Sequence, residues 1–203
     1  MKSTVYIETT IPSYLTANPS RDIFQLARQS ITQQWWETKR KDYDLVTSDF
    51  TITECKKGDP KAAQRRLDSI SGIPLLQITD TVESLSNSYM LLLSILKDSR
   101  VDTLHLAICV VNQIDFLLTW NCKHLGPFTM QKIQTYNDKY GLFVPVLATP
   151  EAFFDEREIN HDLSGSAEKR TNDRSHRARR LSSPDHRVLA QPGMLRRRRK
   201  EKR

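Results

Sequence analysis

The sequence predicts an α/β protein: a three-layer α/β/α sandwich with a parallel central sheet, followed by a disordered basic tail. Three observations carry this expectation. Short apolar or β-branched runs alternate with segments of helical periodicity up to about residue 154. That alternation is the pattern of a parallel sheet covered by helices on both faces. The chain, at 203 residues, is long enough for one domain with a sizeable core. Its charge is also divided. Residues 1–155 hold 16 Lys and Arg against 17 Asp and Glu, whereas residues 156–203 hold 15 against 7. The formal net charge of +7 and the pI near 9.4 therefore describe the tail, and the domain of residues 1–156 is close to neutral.

Thr4-Val5-Tyr6-Ile7 is β-branched and aromatic, and reads as a central buried strand. Glu8-Thr9-Thr10 stands at its carboxyl end. Pro12 then suits the first turn of a helix, where its missing N–H would be unpaired in any case. Residues 21–39 are helical, with Ile23, Leu26, Ala27, Ile31 and Trp35 on one stripe and Trp35-Trp36 as a packing surface. Asp44-Leu45-Val46-Thr47 is a second strand, and Ser48 or Asp49 caps a helix that carries Ile52 and Glu54. Gly58-Asp59-Pro60 closes that helix and opens another over residues 61–70. Pro74-Leu75-Leu76-Gln77-Ile78 supplies a third strand. Asp80 is expected to cap a helix whose apolar positions are Val82, Leu85, Tyr89 and Leu92-Leu93.

Residues 100–112 form a further helix, with Val101, Leu104, Ala107, Ile108 and Val111 at helical spacing. Residues 115–119, centred on Phe116-Leu117-Leu118, form a fourth strand of the fully buried kind. Gly126-Pro127 precedes a helix near residues 129–139, which Gly141 ends from the C′ position. Val144-Pro145-Val146-Leu147 is a last strand, placed at an edge by its proline. Thr149-Pro150-Glu151 opens a final short helix through Phe154. Beyond residue 157 large apolar side chains are sparse, and Arg196-Arg197-Arg198-Arg199-Lys200 is a block of positive charge. Such a tail cannot offset its ordering entropy by burial, so disorder is expected over residues 157–203. It is either a solvated extension or a segment that holds RNA phosphates through charge.

Cys55, Cys109 and Cys122 form no C-x-x-C pair and no regular framework, which fits a reducing compartment. No run of about 18 apolar residues occurs, so no transmembrane helix and no membrane partner are expected. No signal-peptide core precedes Val5, and the expected location is cytoplasmic.

Four side chains fall at comparable places: Glu8 after the first strand, Glu54 on a helix, Asp102 at a helix start and Asn121 past a later strand. In a parallel sheet all four converge on the carboxyl edge, where open α/β proteins bind ligands. Three carboxylates together repel one another and resist ionising. A hard divalent cation removes that penalty, and oxygen donors suit Mg²⁺ or Mn²⁺. Thr9 and Thr119 are placed to hydrogen-bond the carboxylates, a metal-bound water or loop backbone groups. His105, one turn from Asp102, reads as a satisfied helix histidine. No Ser-His-Asp order, Walker loop or G-x-G-x-x-G occurs, which leaves nucleophilic, nucleotide-triphosphate and dinucleotide chemistry without support.

Several runs carry a family resemblance. They are Val5-Tyr6-Ile7-Glu8-Thr9-Thr10-Ile11-Pro12-Ser13-Tyr14-Leu15-Thr16, Thr53-Glu54, Gly58-Asp59-Pro60, Asp102-Thr103-Leu104-His105-Leu106-Ala107 and Thr119-Trp120-Asn121-Cys122-Lys123-His124. Together they resemble the PIN-domain family, in its VapC-like toxin branch of toxin–antitoxin systems, over roughly residues 4–154. The resemblance implies a PIN-like, Rossmann-like fold and a Mg²⁺- or Mn²⁺-dependent endoribonuclease. It places Glu8, Glu54 and Asp102 on the family's acidic positions, with Asn121 on the fourth. It further implies an RNA substrate, an antitoxin protein partner and a homodimer. Two positions depart from the wider family: Glu8 stands where Asp is usual, and Asn121 where a fourth acid is usual. The alternative expectation is a non-catalytic RNA-binding or interaction module on the same scaffold.

Overall fold

A computed structural model of the chain describes residues 1–93, 100–121 and 126–154. The expected tail over residues 157–203, and Cys122, Lys123 and His124, lie outside them. The strands are β1 (Thr4–Ile7), β2 (Asp44–Ser48), β3 (Leu75–Leu76), β4 (Phe116–Leu118) and β5 (Val146–Ala148). The helices are α1 (Thr10–Thr16), α2 (Ile23–Thr38), α3 (Asp49–Cys55), α4 (Pro60–Ser69), α5 (Asp80–Leu93), α6 (Arg100–Val111) and α7 (Pro127–Tyr140). Short 3₁₀ turns cover Arg40–Asp42 and Pro150–Phe153. The strands form one sheet in the order β3-β2-β1-β4-β5, and all neighbours are parallel. This is the expected three-layer sandwich.

Alternation along each strand divides the core into two layers. Tyr6 of β1 and Leu117 of β4 face a layer built from Val82 and Tyr89 of α5, Leu104 and Ile108 of α6, and Ile133 of α7. Val5, Ile7 and Leu118 face the opposite layer, with Ile11 of α1, Trp35 of α2 and Cys55 of α3. α6 is buried on every side from Asp102 to Val110, as a helix apolar around most of its circumference must be. Cys55 and Cys109 are buried free thiols. At the amino edge, Asp115 Oδ2 accepts from the Thr4 N–H at 2.7 Å and the Thr4 hydroxyl at 2.9 Å, which ties the start of β1 to β4. Among the described residues no helix is long and apolar enough to cross a membrane.

The expected stripe of α2 is displaced. Of its members Ile23 is 73% exposed and Ala27 exposed, Leu26 is half-buried, Ile31 packs against the second layer and Trp35 is buried, while the other buried residues are Gln29 and Thr32. Apolar periodicity misses this face because two of its members are polar and fully partnered. Gln29 Nε2 donates to the Asn18 carbonyl at 2.9 Å, and Thr32 Oγ1 accepts from Trp120 Nε1 at 2.8 Å. Three further boundaries shift. Asp80 is the first residue of α5 rather than its cap, and Thr79 Oγ1 accepts from the Val82 N–H at 3.4 Å instead. β3 shrinks to two residues at an edge, and β5 begins only after Pro145, whose missing N–H cannot join the ladder. Ser48, not Asp49, caps α3, accepting from the Thr51 N–H at 3.1 Å. Gly141 ends α7 in the left-handed region at φ 64°, as expected.

Ile108 lies at the centre of the first layer and is fully buried. Ile108→Ala should lower the unfolding free energy by about 2–5 kcal/mol, read from urea denaturation, because the surrounding helices close only partly over the cavity.

Candidate functional site

The strand order reverses at β1. The chain builds outward through β2 and β3 on one side, then returns to place β4 and β5 on the other. The carboxyl ends of β1 and β4 therefore flank the crevice in which open α/β sheets bind ligands. Register fixes what stands there. Ile7 pairs with Leu118, so Glu8 leaves β1 beside Thr119, Trp120 and Asn121 leaving β4. α3 starts directly after β2 and carries Glu54 in its last turn, and α6 carries Asp102 in its first.

Glu8 is buried and held by Thr10. The Thr10 N–H donates to Glu8 Oε2 at 3.0 Å, and the Thr10 hydroxyl donates to Glu8 Oε1. Thr10 Oγ1 also accepts from the Trp120 N–H at 2.9 Å, which joins this loop to the end of β4. Glu54 Oε2 accepts from the Thr9 hydroxyl at 2.7 Å and lies 3.2 Å from His105 Nε2. Asp102 is buried, and its Oδ1 accepts from Asn121 Nδ2 at 2.6 Å. The Asn121 N–H donates in turn to Thr119 Oγ1 at 2.8 Å. Thr9 thus hydrogen-bonds a carboxylate, as one of its expected roles had it.

The two glutamates titrate in opposite directions. Burial raises the Glu8 pKa above the usual range, and the charge of His105 and the hydrogen bonds of Thr10 and Thr119 only partly oppose this. Burial also disfavours the charged form of Glu54. There, hydrogen bonds from His105 and Thr9, with the charges of His105 and Lys57, outweigh it and lower the pKa.

The four residues expected from sequence stand around one edge, but each is engaged by a neighbour. Among the described residues, no group of three or more His, Cys, Asp or Glu side chains is arranged to hold a metal ion. The donor chemistry nonetheless fits one: the set is all oxygen, and a buried Glu8 that resists ionising is the condition a hard cation relieves. His105 and Tyr6 also stand at this edge, though neither is among the four residues expected there. The available signals were the Asp102-to-His105 spacing of one helical turn and a tyrosine in a strand buried on both faces, whose hydroxyl needs a partner.

Fold and edge together define an open, all-parallel α/β protein with acidic side chains where the chain leaves the sheet at its switch point. No family model and no curated protein matches the sequence. Among solved structures the chain is similar to VapC20 of Mycobacterium tuberculosis, described as a sarcin-ricin loop cleaving toxin. The identity is 15% and the TM-score 0.47, over 59% of this chain and 91% of that one. It is also similar to VapBC2 of Rickettsia felis, solved with a DNA fragment from its promoter. Here the identity is 13% and the TM-score 0.48, over 72% of this chain and 98% of that one.

The pKa directions give a test without any metal. A carboxyl whose pKa is raised on folding stays protonated in the native state while the unfolded chain ionises. Stability then falls as pH rises from the usual glutamate value through the raised one. The lowered Glu54 pKa acts in a separate window, losing stability as pH falls below the usual value. Urea denaturation of metal-free protein should therefore show stability declining above about pH 4.5. Glu8→Gln should flatten that decline and be the more stable protein at neutral pH.

Proposed function

We propose that this chain is a metal-dependent endoribonuclease, a hydrolase of phosphodiester bonds, acting as the toxin of a toxin–antitoxin pair. What supports the reading is that Glu8 leaves β1 beside the segment that carries Asn121, that Asn121 Nδ2 donates to Asp102 Oδ1, and that Glu54 and Asp102 lie on helices that open toward the same sheet edge. Glu8, Glu54 and Asp102 would hold Mg²⁺ or Mn²⁺. Asn121 would add an amide oxygen or hold a metal-bound water, and it braces Asp102. When bound, the cation supplies Lewis-acid chemistry: it lowers the pKa of a water and neutralises charge on the phosphodiester. RNA as substrate, an antitoxin as partner and a homodimer as the working form are supported by the sequence resemblance to VapC-like PIN domains.

A specific observation favours a second reading, a binding module that keeps the scaffold without cleaving. Thr10, Thr9 with His105, and Asn121 already satisfy Glu8, Glu54 and Asp102 in turn. Such a module would retain RNA with a steep salt dependence and release no product.

Mn²⁺ calorimetry and RNA cleavage on the full chain separate the two. The nuclease reading expects wild type to bind Mn²⁺ and Asp102→Asn to bind at least about tenfold more weakly, because ligand charge sets affinity for hard cations. It also expects EDTA to abolish cleavage. Cleavage that survives both EDTA and Asp102→Asn overturns it.

A further inference from the structure

We infer that His105 is a positioning residue of this site: braced from behind by Tyr6, it fixes the Glu54 carboxylate for a cation. The inference rests on the proposed reading of the crevice as a cation site. It arises from a buried hydrogen-bonded chain that the acid constellation alone does not require.

The chain begins beneath the sheet edge. Tyr6 Oη lies 2.6 Å from Ser48 Oγ and 3.0 Å from Thr51 Oγ1, the residues that start α3. On its other side it lies 2.8 Å from His105 Nδ1. His105 Nε2 then reaches Glu54 Oε2 at 3.2 Å. The ring is 3% exposed, and the rings of Phe50 and Tyr6 flank it at centroid distances of 5.1 and 5.6 Å. Two aromatic neighbours and two hydrogen bonds leave the imidazole one orientation.

Proton placement follows from the partners. An ionised carboxylate only accepts, so Nε2 carries the hydrogen in either charge state of the ring. With a neutral ring, the Tyr6 hydroxyl donates to Nδ1, and the hydroxyls of Ser48 and Thr51 donate back toward Tyr6. With a charged ring, Nδ1 donates to Tyr6 Oη. Both arrangements leave every polar atom of this relay of Ser48, Thr51, Tyr6, His105 and Glu54 paired. The Nε2–H therefore always points at Glu54.

The consequence falls on Glu54. It sits in the last turn of a seven-residue helix, where helix packing alone constrains a long side chain weakly. Oε2 is held by both Thr9 and His105. Oε1 instead lies 3.8 Å from the ammonium of Lys57, a side chain 69% exposed. One carboxylate oxygen is anchored inside the protein, while the other faces a partner that an arriving cation can displace. Donors that orient a ligating group in this way commonly govern metal affinity from behind the ligands.

Two substitutions separate positioning from packing. The amide nitrogen of His105→Gln reaches the place of Nε2 and can still donate to Glu54. The amide of His105→Asn reaches only the place of Nδ1 and keeps the Tyr6 contact alone. Mn²⁺ calorimetry and thermal melting on the full chain should show H105N losing roughly 10–100-fold in Mn²⁺ affinity. H105Q should restore most of it, and the two variants should melt together. Tyr6→Phe keeps the ring in the core and removes only the brace; it should weaken Mn²⁺ binding less than H105N and serves if both histidine variants fail to fold. Equal Mn²⁺ affinity in H105N and H105Q, or wild-type affinity in Y6F, overturns the inference and leaves the cation site standing. A wild-type chain that takes up no Mn²⁺ overturns the cation reading, and the inference with it.

Discussion

The pairing of β1 with β4 is the constraint on which the site depends. Val5, Tyr6 and Ile7 stand in register with Phe116, Leu117 and Leu118, and a slip of one residue would exchange the two core faces of either strand. Burial on both sides rules such a slip out. Tyr6 and Leu117 must enter one layer, and Ile7 and Leu118 the other. Once that register is set, Glu8 and the Thr119–Asn121 segment leave the sheet side by side. The clamp of Asp115 on Thr4 at the opposite edge closes the same pair of strands from below.

Burying acids at that edge has a cost that the surrounding hydroxyl and amide groups distribute. Glu8 is less compensated than Glu54, and its pKa rises accordingly. At Glu54 hydrogen bonds from His105 and Thr9 to one of its oxygens outweigh burial and lower the pKa. Asp102 takes a short hydrogen bond from an amide rather than facing a fourth carboxylate. Asn121 thus lowers the negative charge of the edge by one while keeping an oxygen there, so its effect is electrostatic as well as structural. The same donors that stabilise the acids in this arrangement also determine how readily each can turn toward a ligand.

Much of the architecture was legible as pattern. β1, β2 and β4 are short apolar runs between helical segments, and each lies where its β-branched or aromatic content places it. Gly141 and Pro12 fall where backbone geometry admits them. What pattern misread was burial of polar groups. Ile23 and Ala27 belong to the apolar stripe of α2 and lie exposed, whereas Gln29 and Thr32 stand off it and lie inside. Hydropathy scores a side chain by what it is, but Gln29 is buried because Asn18 and Ser20 supply its partners. Thr79 displaced Asp80 as the cap of α5 for a similar reason: capping depends on which residue's backbone turns extended, and neighbouring candidates look alike in sequence.

The alternation of strands and helices, the apolar character of α6 and the presence of Glu8, Glu54, Asp102 and Asn121 near element ends can all be read from the amino-acid order. These are local properties, written in spacing and residue type. The strand order β3-β2-β1-β4-β5 comes from folding, because order depends on which faces are buried together across more than a hundred residues. Folding likewise lets one Glu54 oxygen accept from both Thr9 and His105, and braces His105 with a tyrosine 99 positions away. Hydrogen bonds across such separations leave no periodic trace. They exist because burial leaves each polar atom no partner except the one the fold brings to it.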